Sequence, residues 1–304
     1  MKRNASLSGV KPQVLEAPAY TLHAYRADIK LNQNENPFDF PEDLKEEVFR
    51  RFKAREWSRY PDFVPDAMRQ RIADFAGWHK DGVLIGNGSN ELLQATLMVL
   101  VSGGTRVAIP SPTFTVYALI AAVLGAEVIR IPLGPDMGYD IDALVSRAEA
   151  SGAGVLIINS PNNPTGSVVR NDALKRVLEE FSGHVLLDEA YFEFWGSSGL
   201  DLLTEYPKLV ITRTFSKAMG MAGLRVGYLL ADDELVTQIS KAKLPYNVNQ
   251  FSLTAAEVAV ENAGRFRKAI EEILKEKERL YGELCGIEGI RVYPSEANFF
   301  LVEV

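Results

Sequence analysis

The chain has 304 residues, 47% of them hydrophobic and 24% charged, with a net charge of −7. That length buries a sizeable core and suits one large domain with a smaller one. The negative balance, without any run of Lys or Arg, speaks against a nucleic-acid surface.

Met-Lys-Arg-Asn opens the sequence and leads into mixed residues with no apolar core before a cleavage site, so no signal peptide is expected. Residues 1–40 carry Pro12, Pro18 and Pro37, with Pro41 just beyond, and read as an irregular arm crossing a surface. From about residue 83 to 230, short apolar runs alternate with helical patterns. Val83–Ile85 precedes a helix over 91–101, and Val107–Ile109 one near 114–124. Glu127–Ile131 precedes a helix over 141–150, and Val155–Asn159 one over 172–181. His184–Leu187, Leu209–Thr212 and Val226–Leu230 complete the runs. Continuous apolar runs between helices predict parallel strands covered on both faces, an α/β doubly wound layer. The longest apolar region, 116–131, is broken by Gly125, Glu127 and Arg130 and is too short to span a bilayer. Residues 265–284 place apolar side chains on one stripe of a charged helix. Two strand-like segments, 290–293 and 298–302, follow it as the start of a small α+β unit. The one cysteine, Cys285, allows no intrachain disulfide and fits a reducing cytoplasm.

The chemistry-bearing residues sit just after apolar runs, where ligands of such sheets bind. Lys217, in Thr214-Phe-Ser-Lys217, follows a buried strand among small and polar neighbours, where a solvated lysine is less expected. Burial lowers a lysine's pKa and opens a Schiff base to an aldehyde. Asp188 ends His-Val-Leu-Leu and is either a turn cap or a functional charge. Tyr191, three residues on, is either a core tyrosine or a donor to a phenolate. Asn163, in Asn162-Asn-Pro-Thr-Gly166, is either turn chemistry or a second such donor. Gly86-Asn-Gly-Ser89-Asn90 follows a strand and opens a helix, so free N–H groups there face an anion. Thr214, Ser216 and Arg225 add donors suited to phosphate. The glycines lack the third glycine of a dinucleotide site and the Gly-Lys-Ser/Thr of a P-loop. Phe114 either stacks on a planar ring or fills the core. His23, His79 and His184 are isolated, and neither a metal-ligand spacing nor a Ser/His/Asp signature is present. An amine, an acid for a ring nitrogen, phenolate donors and a phosphate cradle together form the set that pyridoxal 5'-phosphate (PLP) needs.

The same residues carry a family resemblance. Leu-Asn-Gln-Asn-Glu-Asn-Pro-Phe (31–38), Arg-Tyr-Pro-Asp (59–62) and Gly-Asn-Gly-Ser-Asn-Glu-Leu-Leu (86–93) come first. Asn-Ser-Pro-Asn-Asn-Pro-Thr-Gly (159–166), Leu-Asp-Glu-Ala-Tyr (187–191) and Arg-Thr-Phe-Ser-Lys with Ala-Gly-Leu-Arg-Val-Gly-Tyr (213–228) follow. From about Leu31 to Val304 the chain resembles the fold-type I PLP aminotransferases, and among them the histidinol-phosphate aminotransferases.

The resemblance implies a mostly parallel sheet domain over 41–248. It implies an arm and part of a small domain over 1–40, and a small, truncated domain over 249–304. Lys217 would hold the cofactor's aldehyde and then serve as the base. Asp188 would pair with the ring nitrogen, Asn163 and Tyr191 would hold O3', and Phe114 would stack on the ring. Ser89, Asn90, Thr214, Ser216 and Arg225 would hold the phosphate. Tyr60 would reach the phosphate of a neighbouring subunit, which implies a homodimer with shared sites. Tyr20, Asn36 and Asn163 would face the substrate.

Family members continue past the Asn-Phe pair, here Asn298-Phe299, to a substrate-binding arginine. In these 304 residues no arginine follows Arg291. The expected reaction joins histidinol phosphate and 2-oxoglutarate to give imidazole-acetol phosphate and glutamate. Alternatives are an aromatic aminotransferase, a threonine-phosphate decarboxylase, or a PLP-binding module without turnover. A nucleotide-binding role for Gly86–Asn90 fits poorly.

Overall fold

Each of the short apolar runs between the helical patterns becomes a strand. The computed structural model describes residues 5–16 and 28–304. One sheet contains β1 (Val83–Gly86), β2 (Arg106–Ser111), β3 (Glu127–Pro132), β4 (Val155–Asn159), β5 (His184–Asp188), β6 (Leu209–Thr214) and β7 (Gly227–Leu230). Their order is β1-β7-β6-β5-β4-β2-β3. Neighbours from β3 through β6 pair in parallel, while β7 runs antiparallel to β1 and β6. Every residue of β1, β4, β6 and β7 is buried, which is why these runs are continuous rather than alternating. Edge strand β3 instead exposes Glu127 and Arg130, charges that discourage pairing with another chain.

The helices are α1 (Pro12–Glu16), α2 (Glu42–Lys53), α3 (Asp66–Ala76), α4 (Ser89–Leu100), α5 (Val116–Leu124), α6 (Ile141–Ala150) and α7 (Asn171–Glu180). They continue with α8 (Phe192–Trp195), α9 (Asp233–Ser240), α10 (Gln250–Glu261) and α11 (Arg267–Cys285). Alternate strand residues supply two cores. Leu156, Ile158, Leu187 and Ile211 pack with Val48, Ile72, Leu144, Val177 and Ala255. Val155, Ile157, Leu186 and Val210 pack with Leu93, Leu97, Tyr117 and Val236 on the other face. The result is an α/β architecture, a mostly parallel sheet between helical layers.

Four details differ from the sequence-based expectation. The run Val226–Leu230, expected to be parallel like the others, forms β7 antiparallel to β1 and β6. The helix predicted from residue 91 begins at Ser89, because Gly88 with φ 77° turns the chain straight from β1 into α4. Within the arm, Pro12–Glu16 forms a short helix, with Pro12 at the first helical position, where its fixed φ is an advantage. The predicted strand over 298–302 is reduced to β9 (Val302–Glu303), paired with β8 (Arg291–Val292). Asn298 and Phe299 turn elsewhere: Asn298 Nδ2 donates to the Asn34 oxygen, and Phe299 lies edge-on to Tyr191.

Candidate active site

The register of the sheet builds the site. Asn159, Asp188 and Thr212 are aligned partners at the carboxyl ends of β4, β5 and β6. Asp188 is 3% exposed. Tyr117 Oη donates to its Oδ2 at 2.6 Å and the Ala190 N–H to its Oδ1 at 3.1 Å. Burial pushes the carboxyl up to about 6, against the pull of these donors. Asn159 ties the strand ends together: its Nδ2 donates to the Asp188 carbonyl at 3.0 Å, and its Oδ1 accepts the Asn163 N–H at 2.8 Å.

Lys217 lies three residues beyond β6. Gly220, with φ 64°, closes the turn after it, and a Cβ there would meet the Phe38 oxygen at 3.1 Å. Lys217 Nζ donates to the Gln33 carbonyl at 2.5 Å and stands 5.7 Å from the Tyr191 ring centre. Burial brings its pKa down to about 8; Glu35 and Asp188 oppose the shift and Arg225 assists it. Tyr191 is buried, and burial pushes its phenol up to about 12, while bonds from Asn34 and Asn163 pull the other way. Asn34 Nδ2 lies 3.1 Å from its oxygen. Ile270, Ile273 and Leu274 of α11 back the same tyrosine with Phe194, Ala297 and Phe299. Asn36 Nδ2 donates to the Ala218 carbonyl at 2.9 Å, so residues 33–36 run directly over Lys217.

A second group of donors gathers where α4 begins. Thr214 Oγ1 donates to Ser216 Oγ at 2.9 Å, and Arg225 Nη1 reaches the same Ser216 oxygen at 3.3 Å. Arg225 sits in the left-handed region with φ 55°. Its guanidinium crosses so close to Gly88 that a Cβ there would lie 2.3 Å from Nη2. Gly227 permits a similar approach, since its Cβ would be 2.5 Å from the Ser89 nitrogen. Ser89 is buried and Asn90 exposed on the first turn of α4. Glu91 holds this turn, accepting the Asn87 N–H and Asn247 Nδ2, each at 2.6 Å.

The structure therefore brings Ser89, Asn90, Asn163, Asp188, Tyr191, Thr214, Ser216, Lys217 and Arg225 to one end of the sheet, with Asn36 above them. Phe114 begins the approach to α5, half-buried and edge-on to Tyr117 at 5.4 Å. Tyr60 is 79% exposed and stacks on Tyr246 at 4.5 Å. Among the described residues it makes no hydrogen bond to the cluster. Tyr20 lies outside the described residues. A 760 Å³ cavity beside β1 is lined by Phe63, Arg69, Lys243 and Tyr246, and neither Lys217 nor Asp188 reaches it. Tyr117, Asn159, Glu91 and the Gln33 carbonyl were not singled out from the sequence. Of these only Glu91 left a local signal, an acid three residues into a helix that opens on glycine.

The donor set suits one kind of ligand. One end offers only N–H, hydroxyl and guanidinium groups, the other a buried carboxylate, and an amine and a phenol lie between. A molecule with a phosphate, a phenolate oxygen, an aldehyde and a protonatable ring nitrogen matches each in turn, and PLP is such a molecule.

Fold and site define an α/β enzyme with its polar residues at the carboxyl ends of parallel strands. The chain belongs to the aminotransferase class I and II family, whose model matches residues 26–304. It is 37% identical over 297 residues to the histidinol-phosphate aminotransferase of Prosthecochloris aestuarii, covering 97% of this chain and 83% of that one. The histidinol-phosphate aminotransferase of Sinorhizobium meliloti, solved in complex with pyridoxal-5'-phosphate, has the same fold. It superposes with a TM-score of 0.89 at 22% identity, over 97% of this chain and 82% of that one. The Clostridium acetobutylicum histidinol-phosphate aminotransferase gives 0.79 at 26% identity, over 87% and 79%. No helix among the described residues is long and apolar enough to cross a membrane.

Proposed function

We propose that the chain is a PLP-dependent transaminase of L-histidine biosynthesis. It moves the amino group of L-histidinol phosphate to 2-oxoglutarate, giving imidazole-acetol phosphate and L-glutamate. The observation that supports this reading is that Asp188 and Arg225 both lie against Lys217 beyond the ends of β5 and β6. The relatives supply the substrate, being histidinol-phosphate aminotransferases over nearly the whole chain.

When bound, PLP supplies an aldehyde that exchanges amines and a ring that accepts electrons from the carbon bearing the amine. Lys217 supplies the amine to which the aldehyde attaches. A pKa near 8 leaves a useful fraction neutral at physiological pH. Lys217 Nζ would carry a proton away from the substrate's α-carbon. Asp188 would keep a ring nitrogen protonated. Tyr191 and Asn163 would hold a phenolate oxygen, and Phe114 would lie against the ring. Ser89, Asn90, Thr214, Ser216 and Arg225 would take a phosphate. Asn36, Tyr20 and Asn163 face the substrate from the arm and from the loop after β4.

Two copies of the chain sharing sites belong to the same proposal. Trp57, Tyr60 and Phe63 are 70%, 79% and 63% exposed, an aromatic strip that supports contact with a second copy. Sedimentation at micromolar concentration tests this; a monomer there removes the shared-site role of Tyr60. The single cysteine supports a reducing, cytoplasmic setting. The activity is tested by supplying PLP, L-histidinol phosphate and 2-oxoglutarate and measuring L-glutamate. Faster turnover of an aromatic amino acid than of histidinol phosphate overturns the substrate assignment.

A further inference from the structure

We infer that Tyr117 is a positioning residue for Asp188, fixing through its hydroxyl the carboxylate that faces the cofactor's ring nitrogen. The inference rests on the PLP reading above and adds a residue to it. Tyr117 is 1% exposed on the buried face of α5, and its ring packs in the core with Leu93, Val155 and Ile157. Packing alone would be served as well by phenylalanine. The hydroxyl is what differs, and it ends 2.6 Å from Asp188 Oδ2.

Asp188 Oδ1 already accepts the Ala190 N–H. Tyr117 therefore holds the second oxygen, and the two bonds together set the plane of the carboxylate. Burial and the adjacent carboxylate drive the Tyr117 phenol far above its ordinary pKa, so it stays a donor at every working pH.

The other titratable groups facing Asp188 come from several elements. Tyr139 approaches from the segment before α6, Glu189 and Tyr191 from its own turn, and Lys217 from the turn after β6. Among these titratable groups Tyr117 alone donates a side-chain hydrogen bond to its oxygens, while the Thr212 hydroxyl on β6 also faces the carboxyl and favours its charged form. Removing that donor takes away the 2.6 Å bond to Oδ2 and leaves the carboxylate fewer donors, which favours its protonated form. A protonated Asp188 no longer offers a negative charge to the ring nitrogen.

The test compares wild-type chain with Tyr117→Phe by PLP binding to the apoprotein across pH 5 to 8, and by infrared titration of the Asp188 carboxyl without cofactor. The inference expects about tenfold weaker PLP binding in Tyr117→Phe at neutral pH, the worth of one hydrogen bond to a charged group. It also expects the carboxyl midpoint to move above the wild-type value of about 6. Incorporating 3-fluorotyrosine at position 117 keeps the ring and strengthens the donor, and moves the midpoint down; this arm stands even if Tyr117→Phe folds poorly. Equal PLP affinity and an unmoved midpoint in both variants overturn the inference. Wild-type apoprotein that binds no PLP overturns the PLP reading itself, and the cofactor-free titration separates that failure from this one.

Discussion

Lys217 Nζ is held by the backbone oxygen of Gln33 at 2.5 Å, joining residues 184 positions apart in the sequence. Gln33 and Asn34 both lie in the left-handed region, with φ of 73° and 53°, so the arm spends backbone strain to place that oxygen. The contact holds the half-buried amine in place. Burial in turn lowers its pKa to about 8.

If Lys217 takes the aldehyde as proposed, the rate at which apoprotein captures PLP is expected to follow the neutral fraction of that amine. Protonation blocks attack, so capture rises with pH and levels off above about 8. Stopped-flow absorbance from pH 6 to 10 checks this. A rise continuing to the 10.5 of an ordinary lysine contradicts it.

Asp188 places function against stability. Its carboxyl titrates near 6 when folded and at the ordinary 3.8 when unfolded, so ionisation costs the fold at most about 3 kcal/mol. The folded state binds the extra proton between those values, and stability falls as pH rises through that window. Asp188→Asn apoprotein is therefore expected to melt higher than wild type at pH 7. The gain fades toward pH 4, and the variant's affinity for PLP is lower. Calorimetry at the two pH values measures the first effect and equilibrium binding the second.

Arg213 and Glu189 form a buried ion pair at 2.8 Å, with side chains 4% and 2% exposed. Arg213 also covers Phe192, 3.9 Å from the ring centre, and Glu189 accepts from Ser198 and the Gly199 N–H. Arg213→Met leaves a buried carboxylate without its cation and is expected to cost about 3–5 kcal/mol. Arg213→Met with Glu189→Gln recovers part of that loss. Urea denaturation of the three proteins reads both quantities.

Gly88→Ala is expected to displace Arg225, because the added Cβ would lie 2.3 Å from Nη2 and the residue needs φ 77°. On the proposed phosphate role of Arg225, losing its guanidinium is expected to weaken PLP binding about tenfold. Pyridoxal, which has no phosphate, loses nothing further. Titration with both ligands separates the effect from general damage to the fold.

Much of this was legible in the sequence because the sheet is covered on both faces. Its buried strands read as uninterrupted apolar runs, and Asp188 and Lys217 stand out as charges where those runs stop. Arg225 was legible by its spacing from Lys217. Tyr117 was not, since a tyrosine on an apolar helix looks like core until the hydroxyl has a partner. The Gln33 carbonyl left no trace because every residue carries one. Asn159 ends the run of β4, and its bridge between β4 and β5 depends on register. The segment over 298–302 read as strand from Phe299, Phe300 and Val302, yet contact with Tyr191 and Asn34 claims its first residues.

The central claim is covalent attachment at Lys217, and peptide mapping after borohydride reduction of the PLP-treated protein tests it most directly. A pyridoxyl-phosphate mass addition on the peptide containing Lys217, absent in Lys217→Ala and lost when L-histidinol phosphate is added before reduction, is the predicted result. An addition on another lysine, or one that survives Lys217→Ala, contradicts the account.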